Sequence, residues 1–229
     1  ILEVHSKDKR FTEEVNLDAI AKKTIGYSGA DLENLLNEAA IMAALENRKI
    51  INQEDLSEAY LKVKLGRKKK DRELEEEDLK TTAFHEAGHA IVARFTPKSD
   101  PVEQISIISR GRSGGATVYL PEKDTKHVYK DQLLARMRSG VAGRASEELF
   151  VGRISTGASS DIENVTDMAR EMITQYGMSD RLGMVQYGDE EETKHLGYSY
   201  GGGRGYSEEY AKLIDDEVKK LVDDAYSDA

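Results

Sequence analysis

The sequence predicts a mainly α-helical chain: a small helical bundle, then a larger helical unit carrying one short β-ribbon. Three observations lead there. Side chains suited to helix capping repeatedly stand just before apolar residues at helical spacing. A run of almost unbroken charge, Gly66 to Asp78, divides the chain. Only the stretch from Val102 to Leu120 has β character, as two short apolar runs either side of a glycine-containing turn.

In the first part, Asn16 is placed to cap a helix carrying Leu17, Ile20 and Ala21. Ser28 with Asp31 forms a capping-box pattern ahead of Leu32, Leu35, Leu36, Ala39 and Ala43. Asn52 with Asp55 repeats it ahead of Leu56, Ala59, Tyr60 and Val63. The boundaries that follow are 1–66 for the bundle, 67–80 for a solvated charged linker running into a helix start, and 81–229 for the second domain. The linker's basic residues are followed at once by acids, with no aromatics between them, so no nucleic-acid surface is expected.

In the second part, Phe84, Ala87, Gly88, Ile91, Val92 and Phe95 recur at helical spacing from Thr81 to Phe95, and Thr96-Pro97 ends the run. Strands are expected at Val102 to Ile108 and Ala116 to Leu120, joined by a turn at Gly111 to Gly115 and stopped by Pro121. Helices follow from about Asp131 to Phe150 and from about Ser159 to Tyr176. A last helix carries Leu213, Ile214, Val218, Leu221 and Ala225. Gly201 to Gly205 reads as a mobile loop and not a phosphate-binding one, because no Gly-Lys-Ser/Thr follows.

The chemistry lies in His85-Glu86-Ala87-Gly88-His89, an H-E-x-x-H motif inside the helical run. Four residues apart on a helix, the two imidazoles share a face and can hold one metal ion. Glu86 is then placed to take a proton from a water that the metal activates, the layout of a zinc peptidase. A catalytic zinc needs a third protein ligand and one open position. Val92 and Phe95 stand where a metzincin extension requires Gly and His, so that class is excluded. His5 lies in the first bundle, and His127 and His195 lie in highly polar stretches, which leaves carboxylates. The Glu147-Glu148 pair and Asp161 both qualify, and spacing alone does not separate them.

The whole-chain figures narrow the class. At 229 residues with 38% hydrophobic content, the chain can form compact cores. A net charge of −10 gives no overall nucleic-acid footprint. There is no cysteine, so disulfides and thiolate metal sites are excluded. No apolar run approaches membrane-spanning length, and no signal-peptide pattern opens the chain. The chain begins at Ile1 and not at Met, as expected of a soluble piece of a longer protein.

Several motifs together resemble the C-terminal part of the FtsH family, membrane-anchored ATP-dependent zinc metalloproteases of the AAA+ class. They are Ala83 to Ala90, Tyr119-Leu120-Pro121-Glu122, Gly143 to Leu149, Ser155 to Ile162, and Gln175 to Ser179. In the first bundle, Ile1 to His5 and Gly26 to Leu32 resemble that family's ATPase lid. The resemblance implies a small helical AAA+ lid followed by a helical zincin-type protease domain. It implies zinc on His85, His89 and Asp161 with Glu86 as the catalytic base, and gives Glu147 and Glu148 supporting roles such as orienting a ligand histidine. Ser160 departs from the family's usual Asn without touching the ligand.

On the lid, the resemblance implies that His5, Gly29 and Ala30 border a nucleotide, with ATP and Mg2+ as cofactors of the full-length protein. It further implies unfolded polypeptide substrates, a homo-hexamer, and anchoring through an N-terminal segment absent here. The membrane would be a bacterial inner membrane or an organelle membrane, with the protease facing the cytoplasm or matrix. The chain lacks the Walker A and Walker B elements that ATP hydrolysis requires. Ala116, Thr117 and Val118 form the expected edge on which substrate adds as a strand. Two other readings remain: a non-catalytic oligomerisation module with a structural metal, which would not need Glu86, and a zinc hydrolase acting on small molecules.

Overall fold

A computed structural model of the chain describes residues 1–69, 75–111, 113–120, 127–187 and 206–229. Expectations for Pro121, Glu122, His195 and the Gly201–Gly205 loop lie outside the described residues, as do part of the charged stretch and part of the Gly111–Gly115 turn. The chain divides into two compact units, Ile1–Glu75 with Ser106–Ala116, and Glu76–Ile105 with Thr117–Ala229.

Among its described residues the first unit holds four helices: α1 (Leu2–Ser6), α2 (Leu17–Lys23), α3 (Gly29–Leu45) and α4 (Gln53–Leu65). The capping residues act as the sequence predicts. Asn16 accepts from the Ala19 N–H, and Ser28 with Asp31 and Asn52 with Asp55 both form reciprocal capping boxes. The short helix α1 was not expected. At five residues it is below the length at which a periodic pattern can be read. Ile20, Leu35, Leu36, Ala39, Leu56, Ala59 and Tyr60 make the buried core of this unit.

The segment Ser106–Ala116 was expected within the second domain, yet it belongs to the first compact unit. Its anchor is Arg110, only 2% exposed, whose guanidinium donates to both Glu58 carboxylate oxygens at 2.8 and 2.9 Å. The Lys69 N–H donates to the Ser109 carbonyl and the Gly111 N–H to the Arg67 carbonyl. Gly111 adopts φ +51°, and a β-carbon there would lie 2.6 Å from the Leu65 carbonyl, so the turn requires glycine.

The second unit is built from α5 (Glu76–Phe95), all but the end residues Ser106 and Ala116 of the strands β1 (Val102–Ser106) and β2 (Ala116–Tyr119), α6 (Lys130–Ser146), α7 (Ser159–Thr174) and α8 (Glu208–Asp228). α5 starts at Glu76, inside the stretch expected as linker. Three acids in its first turn, Glu76, Glu77 and Asp78, suit the positive end of the helix dipole. β1 and β2 pair antiparallel as a two-stranded sheet. The helix expected to continue to Phe150 instead becomes a π-helical turn at Glu147–Val151 and ends at Gly152 with φ +78°. The core, among Met137, Val141, Val165, Ala169, Met172, Ile173, Ile214 and Val218, lies where α6, α7 and α8 meet. None of the described helices is long and apolar enough to cross a membrane.

Candidate metal centre

The helix α5 carries His85, Glu86 and His89, all buried. Buried polar side chains on one helix need partners, and α6 comes close enough to supply them. A β-carbon at Gly88 would lie 2.6 Å from both the Ala142 carbonyl oxygen and the Ser146 β-carbon, so glycine permits the approach. The Ser146 hydroxyl donates to the Phe84 carbonyl at 2.7 Å, which pins the two helices in register.

Each imidazole is oriented by its far nitrogen. His89 Nδ1 lies 2.6 Å from the Ser139 carbonyl oxygen. A carbonyl only accepts, so Nδ1 carries the proton and His89 Nε2 presents a lone pair. His85 Nδ1 lies 2.7 Å from Glu147 Oε1. Glu147 is 1% exposed and is itself held by the Ser155 N–H at 2.7 Å and the Ser155 hydroxyl at 3.1 Å. The π-helical turn begins at Glu147 and adds a residue to the helical turn there, beside the His85 ring.

The inward nitrogens meet Asp161, which sits in the first turn of α7. His85 Nε2 is 3.0 Å from His89 Nε2 and 3.1 Å from Asp161 Oδ2, and His89 Nε2 is 3.6 Å from that same oxygen. Electron-rich atoms aimed at one point repel unless a cation lies between them. Zinc ligands about 2.1 Å from a tetrahedral ion stand roughly 3.4 Å apart, close to the three separations found. Among the described residues this is the one trio of such groups whose ligand atoms all converge, within 4.8 Å. The donor set therefore fits a zinc ion.

Without a metal between them, the same groups shift one another strongly. Burial pulls His85 down, but its hydrogen bonds to Asp161 and Glu147 and the charges of Asp161 and Glu86 outweigh it, so the imidazole is pushed up. Burial pushes Asp161 up, but the two histidines more than reverse this and hold it at about 2. Glu86 goes the other way: burial raises it, and the Thr117 hydroxyl and the histidines only partly offset that. Tyr119 on β2 is pushed up to about 12, first by burial and then by the charges of Glu86, Asp161 and Asp100, with Ser139 opposing.

The carboxylates that spacing left equivalent are thus distinguished by position. Asp161 faces the imidazoles, Glu147 stands behind His85, and Glu148 is exposed and accepts from the Tyr226 hydroxyl. His127 is exposed, as its polar surroundings predict. In the first unit His5 is half-buried, its Nδ1 4.0 Å from Glu33 on α3, while Gly29 and Ala30 form the first two positions of that helix. Ala116, Thr117 and Val118 lie in β2, where Val118 is buried and Thr117 turns to Glu86. Sequence reasoning missed the Ser139 carbonyl, the Ser155 clamp and the Thr117–Glu86 contact. The first is a backbone carbonyl, which carries no residue-type signal, and the other two depend on how a loop and a strand pack against helices.

Comparison with known proteins agrees over the whole chain. A model of peptidase family M41 matches residues 72–229, and a model of the AAA+ lid domain matches residues 14–58. The ATP-dependent zinc metalloprotease FtsH of Veillonella parvula is 46% identical over 228 residues, covering 100% of this chain and 36% of that protein. The protein of the same name from Caldicellulosiruptor bescii is 47% identical over 229 residues, with 100% and 37% covered. That from Thermotoga maritima is 45% identical over 230 residues, with 100% and 38% covered. The chain spans little more than a third of the length of these curated relatives. With a family match that runs from residue 72, inside the charged stretch, to Ala229 and takes in all the converging side chains, the chain belongs to peptidase family M41.

Proposed function

We propose that this chain is the peptidase part, with an adjoining ATPase lid, of an ATP-dependent zinc endopeptidase. His85, His89 and Asp161 hold the zinc, and Glu86 is the catalytic base. The observation that carries this reading is the convergence of two imidazoles and one carboxylate beside a buried, upward-shifted glutamate. When bound, the zinc lowers the pKa of a water towards about 7 and polarises a carbonyl. Glu86 takes the proton from the attacking water, as a carboxylate positioned beside the metal ligands can. It then delivers that proton to the leaving amine. Glu147 and the Ser139 carbonyl keep both imidazoles turned inward throughout.

The substrate is unfolded or membrane-extracted polypeptide. Within the described sheet β2 pairs only with β1, which leaves its other edge for an added strand along Ala116, Thr117 and Val118. In the whole protein, ATP with Mg2+ would be bordered on the lid side by His5, Gly29 and Ala30. A homo-hexameric ring, anchored in a bacterial inner or organelle membrane by a segment outside this chain, would feed the site. The domains proposed are 1–66 for the lid, 67–80 for the linker and 81–229 for the protease. The presence of Glu86 disfavours a purely structural metal, because such a site needs no base.

Cleavage of casein by wild type and Glu86→Gln, with zinc measured in both, tests the reading. Equal zinc with turnover only in wild type is expected. Normal turnover by Glu86→Gln would overturn the assignment, and zinc in both without turnover in either would favour the oligomerisation module.

A further inference from the structure

Glu86 has a single hydrogen-bond partner for its carboxylate among the described residues, and it comes from the strand, not from a helix. The Thr117 hydroxyl lies 2.7 Å from Glu86 Oε2 and 3.1 Å from the Glu86 carbonyl oxygen. A hydroxyl has one proton to give. The carbonyl lies inside α5, where the helical ladder occupies it, so the proton goes to the carboxylate. Glu86 is 6% exposed, and a buried carboxylate on a long side chain needs such a partner to keep one rotamer.

We propose that Thr117 is a positioning residue that fixes the Glu86 carboxylate from β2, so that the strand offered to substrate also sets the place of the base. The inference rests on the reading of Glu86 as base. The alternation of a strand makes this possible. The Thr117 side chain turns to α5 while its backbone lies along the sheet edge, and its neighbour Val118 is buried, 3% exposed. The strand groups that pair with a substrate are backbone, so loss of the hydroxyl leaves them in place. Catalysis should suffer and binding should not.

Thr117→Val keeps the branched shape and removes the hydroxyl, whereas Thr117→Ser keeps the hydroxyl. Proton transfer by a positioned side chain contributes about 100- to 10,000-fold, and losing its orientation forfeits part of that. For Thr117→Val we expect kcat on casein to fall about tenfold or more with KM within about twofold, one zinc per chain, and recovery to within about threefold of wild type in Thr117→Ser.

A second readout does not need turnover. The hydroxamate of N-acetyl-leucine donates a hydrogen bond to the base, so Thr117→Val should weaken its binding to the zinc-loaded chain. In a Glu86→Ala background the same change should have no effect. Equal kcat in Thr117→Val and wild type, or equal weakening in the Glu86→Ala background, would overturn the inference. Should the wild type bind zinc and fail to cleave, the peptidase reading fails for this chain, while the hydroxamate cycle still decides the role of Thr117.

Discussion

A β-carbon on Gly143 would lie 2.5 Å from His85 Nε2, so the ring that faces the metal position occupies the space a side chain on α6 would need. The same carbon would lie 2.6 Å from His89 Nε2. The glycine is therefore required by the imidazoles rather than by backbone conformation. Gly143→Ala should leave the helices folded and lower zinc affinity by about tenfold or more, because both rings must tilt. Titration with a competing chelator measures this, and unchanged affinity would mean that the rings have room elsewhere.

Asp161→Ala removes the carboxylate that meets both imidazoles at 3.1 and 3.6 Å. The chain should lose both stoichiometric zinc and casein cleavage. Zinc retained at one per chain would show that Asp161 is not the third ligand.

Glu147→Gln keeps the shape of the side chain behind His85 and removes its charge. The amide can still accept from His85 Nδ1, but the pull of a carboxylate on that proton is gone. Zinc affinity should fall by about 10- to 100-fold. Since Glu147 also holds Ser155, three residues before Ala158 at the start of α7, the loop leading to Asp161 should loosen, visible as faster amide exchange at Ser155 and Gly157.

Asp55 makes a pH test of the first unit. Its hydrogen bond to the Arg48 guanidinium, aided by the Asn52 N–H and opposed by burial, holds its carboxyl below the usual range. A group whose folded pKa is depressed contributes stability that is present above its unfolded pKa, near 3.9, and lost as pH falls through the folded pKa. The first unit should therefore lose stability below about pH 4, and Asp55→Asn should flatten part of that slope. An unchanged acid limb in Asp55→Asn would show that other carboxylates, such as Glu58 beside Arg110 and Lys68, carry it.

Much of this was legible in the sequence because it is local. The capping residues Asn16, Ser28 and Asn52 act within three residues of themselves, and the spacing of His85 and His89 is a property of one helix. What was not legible depends on tertiary contacts. Asp161 lies 76 residues from His85, and only the resemblance separated it from Glu147 and Glu148. The π-helical turn at Glu147 has no periodic signature, since a single inserted residue leaves the apolar pattern nearly intact. The loop around Arg110 looked like an ordinary turn of the ribbon. Its place beside Glu58 comes from a buried ion pair between residues 52 apart.

The central claim is a zinc ion held by two imidazoles and one carboxylate with a position left open. X-ray absorption at the zinc edge, on wild type loaded to saturation, tests it most directly. The account predicts one zinc per chain, two imidazole nitrogens at about 2.0–2.1 Å, and oxygen filling the rest of a four-coordinate shell. Three or more imidazoles around the zinc, or a chain that takes up none, would contradict it.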